Sequence, residues 1–166
     1  MASRDQFQRF LFEHSQVRGA WVQLGESFKE ITGQAPYPDS VRELLGESLV
    51  ASVLMSSTLK FEGTLSVQAQ GEGPLRTLMA ECSHDRHIRG LARFDEHAVS
   101  EDTFHDLLGE GRMAITITPN RGNRYQGVVP RDQETLGGCL EEYFERSEQI
   151  PTSLFLFADD VSGLSD

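Results

Sequence analysis

A chain of 166 residues, 38% hydrophobic and 25% charged, is one globular domain with room for a sizeable core. With 15 basic against 26 acidic residues its net charge is -11, which argues against a nucleic-acid or anionic-membrane surface, since both need clustered Lys and Arg. Two cysteines, Cys82 and Cys139, do not make a disulfide framework. No basic stretch followed by an apolar one opens the chain as a secretory signal would. The longest uncharged run, Ser48 to Leu59, is shorter than the roughly 20 residues a bilayer requires. The expected compartment is therefore the cytosol.

In chain order, Asp5 to Phe12 fits a strand or a helix equally well. Val17 to Leu24 reads as a strand, with Ala20, Val22 and Leu24 on one face and Trp21 on the other. Glu26 to Ile31 is a short helix ended by Gly33. Ser40 and Glu43, after Pro38, have the spacing of a capping box. From Val41 to Leu59 apolar residues wind around the whole circumference of a helix, and Ser48, Ala51, Ser52, Ser56 and Ser57 fill the gaps. A helix apolar or small on all sides is a buried one. Its hydroxyls can bond back to the preceding turn.

Strands come next. Leu65, Val67 and Ala69 alternate with Ser66, Gln68 and Gln70, a half-buried pattern, before a turn at Gly71 to Pro74. Leu75 to Cys82 and Ile88 to Phe94 are two more. Asp102 to Leu108 is a short helix capped by Gly109. Met113 to Thr118 and Tyr125 to Val129 form a hairpin. A helix capped by Thr135 carries the stripe Leu136, Cys139, Leu140, Tyr143 and Phe144, with Glu142 and Arg146 paired on its wet side and Pro151 as the stop beyond it. Leu154 to Phe157 is a last strand. Hairpins with interspersed helices predict an α+β, mainly antiparallel fold.

Chemistry is sparse. Cys82, His84, Asp85 and His87 form the best metal-like cluster, because Cys and His at close spacing can hold zinc. It offers three ligands at most, with no second ligand group at recognisable spacing, so a polar loop between two strands is the simpler reading. Cys139 lies on an apolar stripe, where a small buried hydrophobe is the simpler reading than a reactive thiol. The Gly71–Pro74 turn carries no Lys and is followed by a strand, so it is not a phosphate loop. No catalytic constellation emerges, and the chain is expected not to be an enzyme.

Helix physics does not require the particular run Tyr143-Phe144-x-x-Ser147-Glu148-Gln149-x-Pro151-Thr152. That run resembles the signature helix of the heat-shock protein 33 family, the redox-regulated holdase chaperones. Leu59 to Gly63, Val67 to Pro74, Arg89 to Arg93, Ala114 to Pro119, Arg124 to Val129 and Val17 to Gly19 resemble further family segments, in the right order. The resemblance implies a three-layer β/α/β fold with a central helix between two mainly antiparallel sheets, in agreement with the buried helix read from periodicity. It implies a single chaperone core domain over residues 1–166.

Intact members carry a C-terminal redox switch in which a CxC and a CxxC pair hold zinc when reduced. This chain ends at Asp166 without those cysteines, so it looks like the core without its switch, and no cofactor is expected in it. The function implied is ATP-independent binding of unfolding client proteins, through burial of apolar surface at roughly 25 cal/mol per square ångström. The alternatives are a metal-dependent hydrolase using the Cys82–His87 cluster and a structural dimerisation module. Leu154, Phe155, Leu156 and Phe157 are the expected self-association or client edge. A turn after them at 159–163 implies a returning strand that the chain does not supply. The edge is then a template for a second copy, making a homodimer, or for an extended client.

Overall fold

The computed structural model describes residues 4–99 and 103–159. Its first strands, β1 (Gln6–Leu11) and β2 (Arg18–Gln23), pair antiparallel as a two-stranded ribbon, with Phe10 opposite Gly19. The ambiguous opening segment is thus a strand. After α1 (Glu26–Thr32) comes α2 (Asp39–Ser56), the axis of the fold. No residue from Leu44 to Ser57 is exposed. The Ser48, Ser52 and Ser56 hydroxyls donate to the Leu44, Leu49 and Val53 carbonyls at 2.8, 2.8 and 2.9 Å, so none is buried without a partner.

A five-stranded antiparallel sheet lies on one side of α2. Its strands are β3 (Gly63–Gly71), β4 (Leu75–Ser83), β5 (Ile88–Phe94), β6 (Gly111–Pro119) and β7 (Tyr125–Val129), in the order β5-β4-β3-β6-β7. Register puts Leu65 opposite Cys82 and Ile117, and Val67 opposite Ala80 and Ile115. That apolar face receives Leu45 and Leu49 of α2, both fully buried. Each such side chain contributes about 1.5–3 kcal/mol on burial. Gly90 on β5 makes the approach possible, since a Cβ there would stand 2.9 Å from Leu49 Cδ2. On its other side α2 touches β2 of the ribbon, so the helix lies between two antiparallel sheets. The second sheet has only two strands among the described residues.

Three local expectations need correction. Helix α2 begins two residues early, with Pro38 as its N-cap and no side-chain cap bond, so Ser40 stands inside the first turn rather than at the cap. The charge at this end is instead used by Asp39, paired with Arg42 at 2.8 Å. The helix also stops at Ser56, not Leu59, because the Thr58 and Leu59 amides turn to the Met55 and Ser56 carbonyls. The expected strand Leu154–Phe157 joins no ladder among the described residues.

Helix α3 (Phe104–Leu108) is capped by Thr103, which accepts from the Asp106 amide in a full capping box; the expected start at Asp102 lies outside the described residues. Helix α4 (Leu136–Tyr143) starts as expected, with Thr135 accepting from the Gly138 amide, and buries Leu136, Cys139, Leu140 and Tyr143.

Candidate functional site

The signature run does more than end a helix. After Tyr143 the backbone makes a π-helical turn, Phe144–Glu148, closed by Gln149 in the left-handed region at φ 54°. The Ile150 amide then reaches back to the Phe144 carbonyl at 3.2 Å. A non-glycine residue in that conformation costs roughly 1–2 kcal/mol, so surrounding structure must hold it. Glu142 of α4 pairs with Arg146 of the turn across one helical turn, but Glu142 is largely buried rather than on a wet side. The stop redirects the chain: Pro151 and Thr152 lead into residues 153–158, an extended strap that returns across α4 and α2.

The strap is anchored by its backbone and by alternate side chains. The Leu154 amide donates to Glu141 Oε1 at 2.6 Å. Leu154 and Leu156 pack against the core, while Phe155 and Phe157 are 77% and 82% exposed. Gly137 of α4 lies beneath Leu154 and Leu156, and Gly46 of α2 lies beneath Ala158. The alternation of a strand is present, with Leu154 and Leu156 inward; the partner strand is what the described structure lacks.

Beside the strap runs a groove of about 740 Å³ between α2, α3 and the start of α4. Leu44, Phe104, Leu107 and Leu136 line it, with Glu43, Glu47 and Glu134 as its charged groups. Burial first, then the neighbouring Glu43 carboxylate, push the Glu47 carboxyl up to about 7. Nothing in the sequence pattern marks this groove: Glu43 reads as the partner in a capping box, and neither Glu47 nor Glu134 belongs to a motif.

A second apolar region sits at the ribbon. Phe10, Leu11, Phe12 and Val17 cluster at its turn and are all about half exposed or more, with Trp21 exposed further along. Phe10 and Phe12 meet edge to face, ring centroids 5.8 Å apart.

The Cys82–His87 loop does not gather its ligands. Cys82 is fully buried with its Sγ 3.1 Å from Ser56 Oγ, facing the core. His84 Nδ1 accepts from the Gly63 amide at 3.2 Å, and His87 pairs with Asp85 at 2.9 Å in solvent. No group of three or more His, Cys, Asp or Glu among the described residues could hold a metal. Cys139 is also fully buried, its thiol 3.5 Å from the Gln133 carbonyl. Burial raises both thiols above their ordinary range.

The family model described as Hsp33 protein matches residues 5–164. The chain belongs to the Hsp33 family. Within that family it is 47% identical over 157 residues to the 33 kDa chaperonin of Shewanella woodyi, covering 95% of this chain and 55% of that protein. It is 44% identical to the 33 kDa chaperonin of Serratia proteamaculans, covering 98% of this chain and 56% of that one. The Hsp33 fold is seen in a crystal structure of the 33 kDa chaperonin (heat shock protein 33 homologue) from Thermotoga maritima, with TM-score 0.75, 21% identity, 91% of this chain covered and 54% of the other. The chain thus spans about half the length of the relatives it matches. No helix among its described residues is long and apolar enough to cross a membrane.

Proposed function

We propose that this chain is the client-holding core of an Hsp33-type chaperone. It binds unfolding polypeptides without ATP, performs no catalysis and works in the cytosol. The observation that carries this reading is a pair of exposed aromatic surfaces, the ribbon turn at Phe10–Val17 and the strap at Leu154–Phe157, on a chain of the Hsp33 family. Apolar surface of this kind marks places where another chain is meant to pack. The names of its relatives, 33 kDa chaperonins, support the same reading. The net charge of -11 keeps such a surface soluble.

In this reading residues 1–166 are a single core domain, and the zinc switch of intact members lies outside them. Regulation by oxidation then belongs to that switch, because Cys82 and Cys139 are both buried and lie in different elements. The hydrolase alternative draws no support from a loop whose thiol faces the core and whose imidazoles face solvent. Suppression of light scattering from a heat-unfolding client, by this chain alone and without nucleotide, tests the proposal.

A homodimer is a second reading of the strap, favoured by the exposure of Phe155 and Phe157. Phe155→Lys should then weaken self-association in sedimentation equilibrium. A parent that stays monomeric at high concentration, or a dimer unchanged by the substitution, counts against it.

A further inference from the structure

Arg86, in the turn between β4 and β5, stands where an L side chain is disfavoured. Its amide closes the turn onto the Ser83 carbonyl at 2.9 Å, and the Ser83 amide meets the His87 carbonyl at 3.0 Å. Arg86 is left in the left-handed region, at φ 64°, a hairpin position that ordinarily takes Gly or Asn. What Arg86 has and Gly lacks is a guanidinium, which stands 4.0 Å from the centroid of the Phe7 ring on β1. A cation over an aromatic face is attracted to it, and here the contact joins the five-stranded sheet to the ribbon.

The ribbon makes matching contacts. Register sets Phe7 opposite Val22 and Arg9 opposite Ala20, so these four residues share one face. Arg9 donates to the Ser57 carbonyl at the C-terminal end of α2, whose last turn has no basic residue of its own. A cation is favoured at that end of a helix. This face therefore looks toward α2, and Phe7, Ala20 and Val22 are partly buried on it. At the base of the ribbon Asp5 accepts from the Gly25 and Ser27 amides at 2.7 and 3.2 Å, supplying the cap that Gly25 cannot give α1. On the opposite face the Phe10 ring folds over Gly19, where there is no room for a Cβ. The outer aromatic face is thus built within the ribbon, whereas the inner apolar face is covered by docking.

Resting on the chaperone reading above, we propose that the ribbon is a latched lid over α2. Asp5 is its pivot, and its latches are Arg86 on Phe7 and Arg9 on the end of α2. Release adds Phe7, Ala20 and Val22, with the flank of α2 beneath them, to the surface that holds clients.

Arg86→Gly tests the latch without damaging the turn, because it removes the guanidinium and relaxes the left-handed residue. The variant should melt like the parent. Its amides in 6–11 and 18–23 should nevertheless exchange at least about tenfold faster, since a two-stranded ribbon off the body is marginal alone, while those of β3 keep their protection. Phe7→Leu should do the same from the other side of the contact, and both substitutions together should do no more than Phe7→Leu alone. Arg86→Gly should also suppress scattering of a heat-unfolding client at about half the amount of protein the parent needs. Unchanged ribbon exchange in Arg86→Gly, or effects of the two substitutions that simply add, overturns the latch. Faster ribbon exchange with equal client holding by parent and variant overturns the lid and leaves the chaperone reading standing. Client holding by neither form refutes the chaperone reading and the lid with it.

Discussion

Ala158 Cβ lies 2.8 Å from the point where a side chain on Gly46 would begin, so the strap crosses α2 over a missing Cβ. Phe28 Cε2 stands 2.6 Å from the same point. Gly46 is fully inside the helix, where Ala would be favoured by roughly 1 kcal/mol. That the position is Gly shows the close crossing outweighing helix propensity.

Gly46→Ala should therefore loosen the strap. Overpacking costs about 1–3 kcal/mol, which exceeds or cancels the helix gain. The expected result is a small net destabilisation together with faster amide exchange at 153–158. Unchanged exchange there would mean that the strap is not seated on α2.

Glu47 gives a pH dependence of definite sign. Its carboxyl is held at about 7 in the fold, against an ordinary value of 4.5, by burial and then by Glu43. The folded state thus binds this proton more tightly than the unfolded chain does. The resulting stabilisation is complete below about pH 4.5 and is lost as pH rises through about 7. Glu43, Glu134 and His105 line the same groove as Glu47. Glu47→Gln should be more stable than the parent above about pH 7, with the advantage shrinking toward pH 5. Denaturant midpoints of both proteins across that range measure it; a constant difference would refute the assignment.

The two thiols should be silent. Cys82 and Cys139 are both fully buried, and burial raises both above the ordinary thiol range. A thiolate is the reactive species, so oxidation of the folded chain should be slow. Client holding by this chain should be the same with reductant and with oxidant. A large gain on oxidation would make one of these cysteines a switch.

Much of the fold was legible because its signals are local. The all-round apolar pattern of Val41 to Leu59 needed no partner to be read as buried, and α2 is buried as that pattern requires. The alternation of Leu65, Val67 and Ala69 likewise matches β3. The misreadings came where neighbours compete. Ser40 had the spacing of a cap, but Pro38, with its fixed φ and its place just before Asp39, started the helix earlier. Leu154 to Phe157 had the short apolar run of a strand, yet a ladder also needs a second backbone, and none is paired with it among the described residues. The groove was illegible for a different reason: Glu134, just before α4, joins the Glu43 and Glu47 pair of α2 only through tertiary packing, which no single segment encodes.

The central claim, that exposed aromatic surface on this core holds unfolded chains, is tested most directly by light scattering of a heat-unfolding client. The parent chain should suppress scattering at stoichiometric amounts without nucleotide, and Phe155→Ser with Phe157→Ser should cut that suppression at least about twofold while melting like the parent. Both side chains point into solvent, so their removal should leave the core intact. Scattering unchanged by the parent, or suppression undiminished when both phenylalanines are gone, would contradict the account.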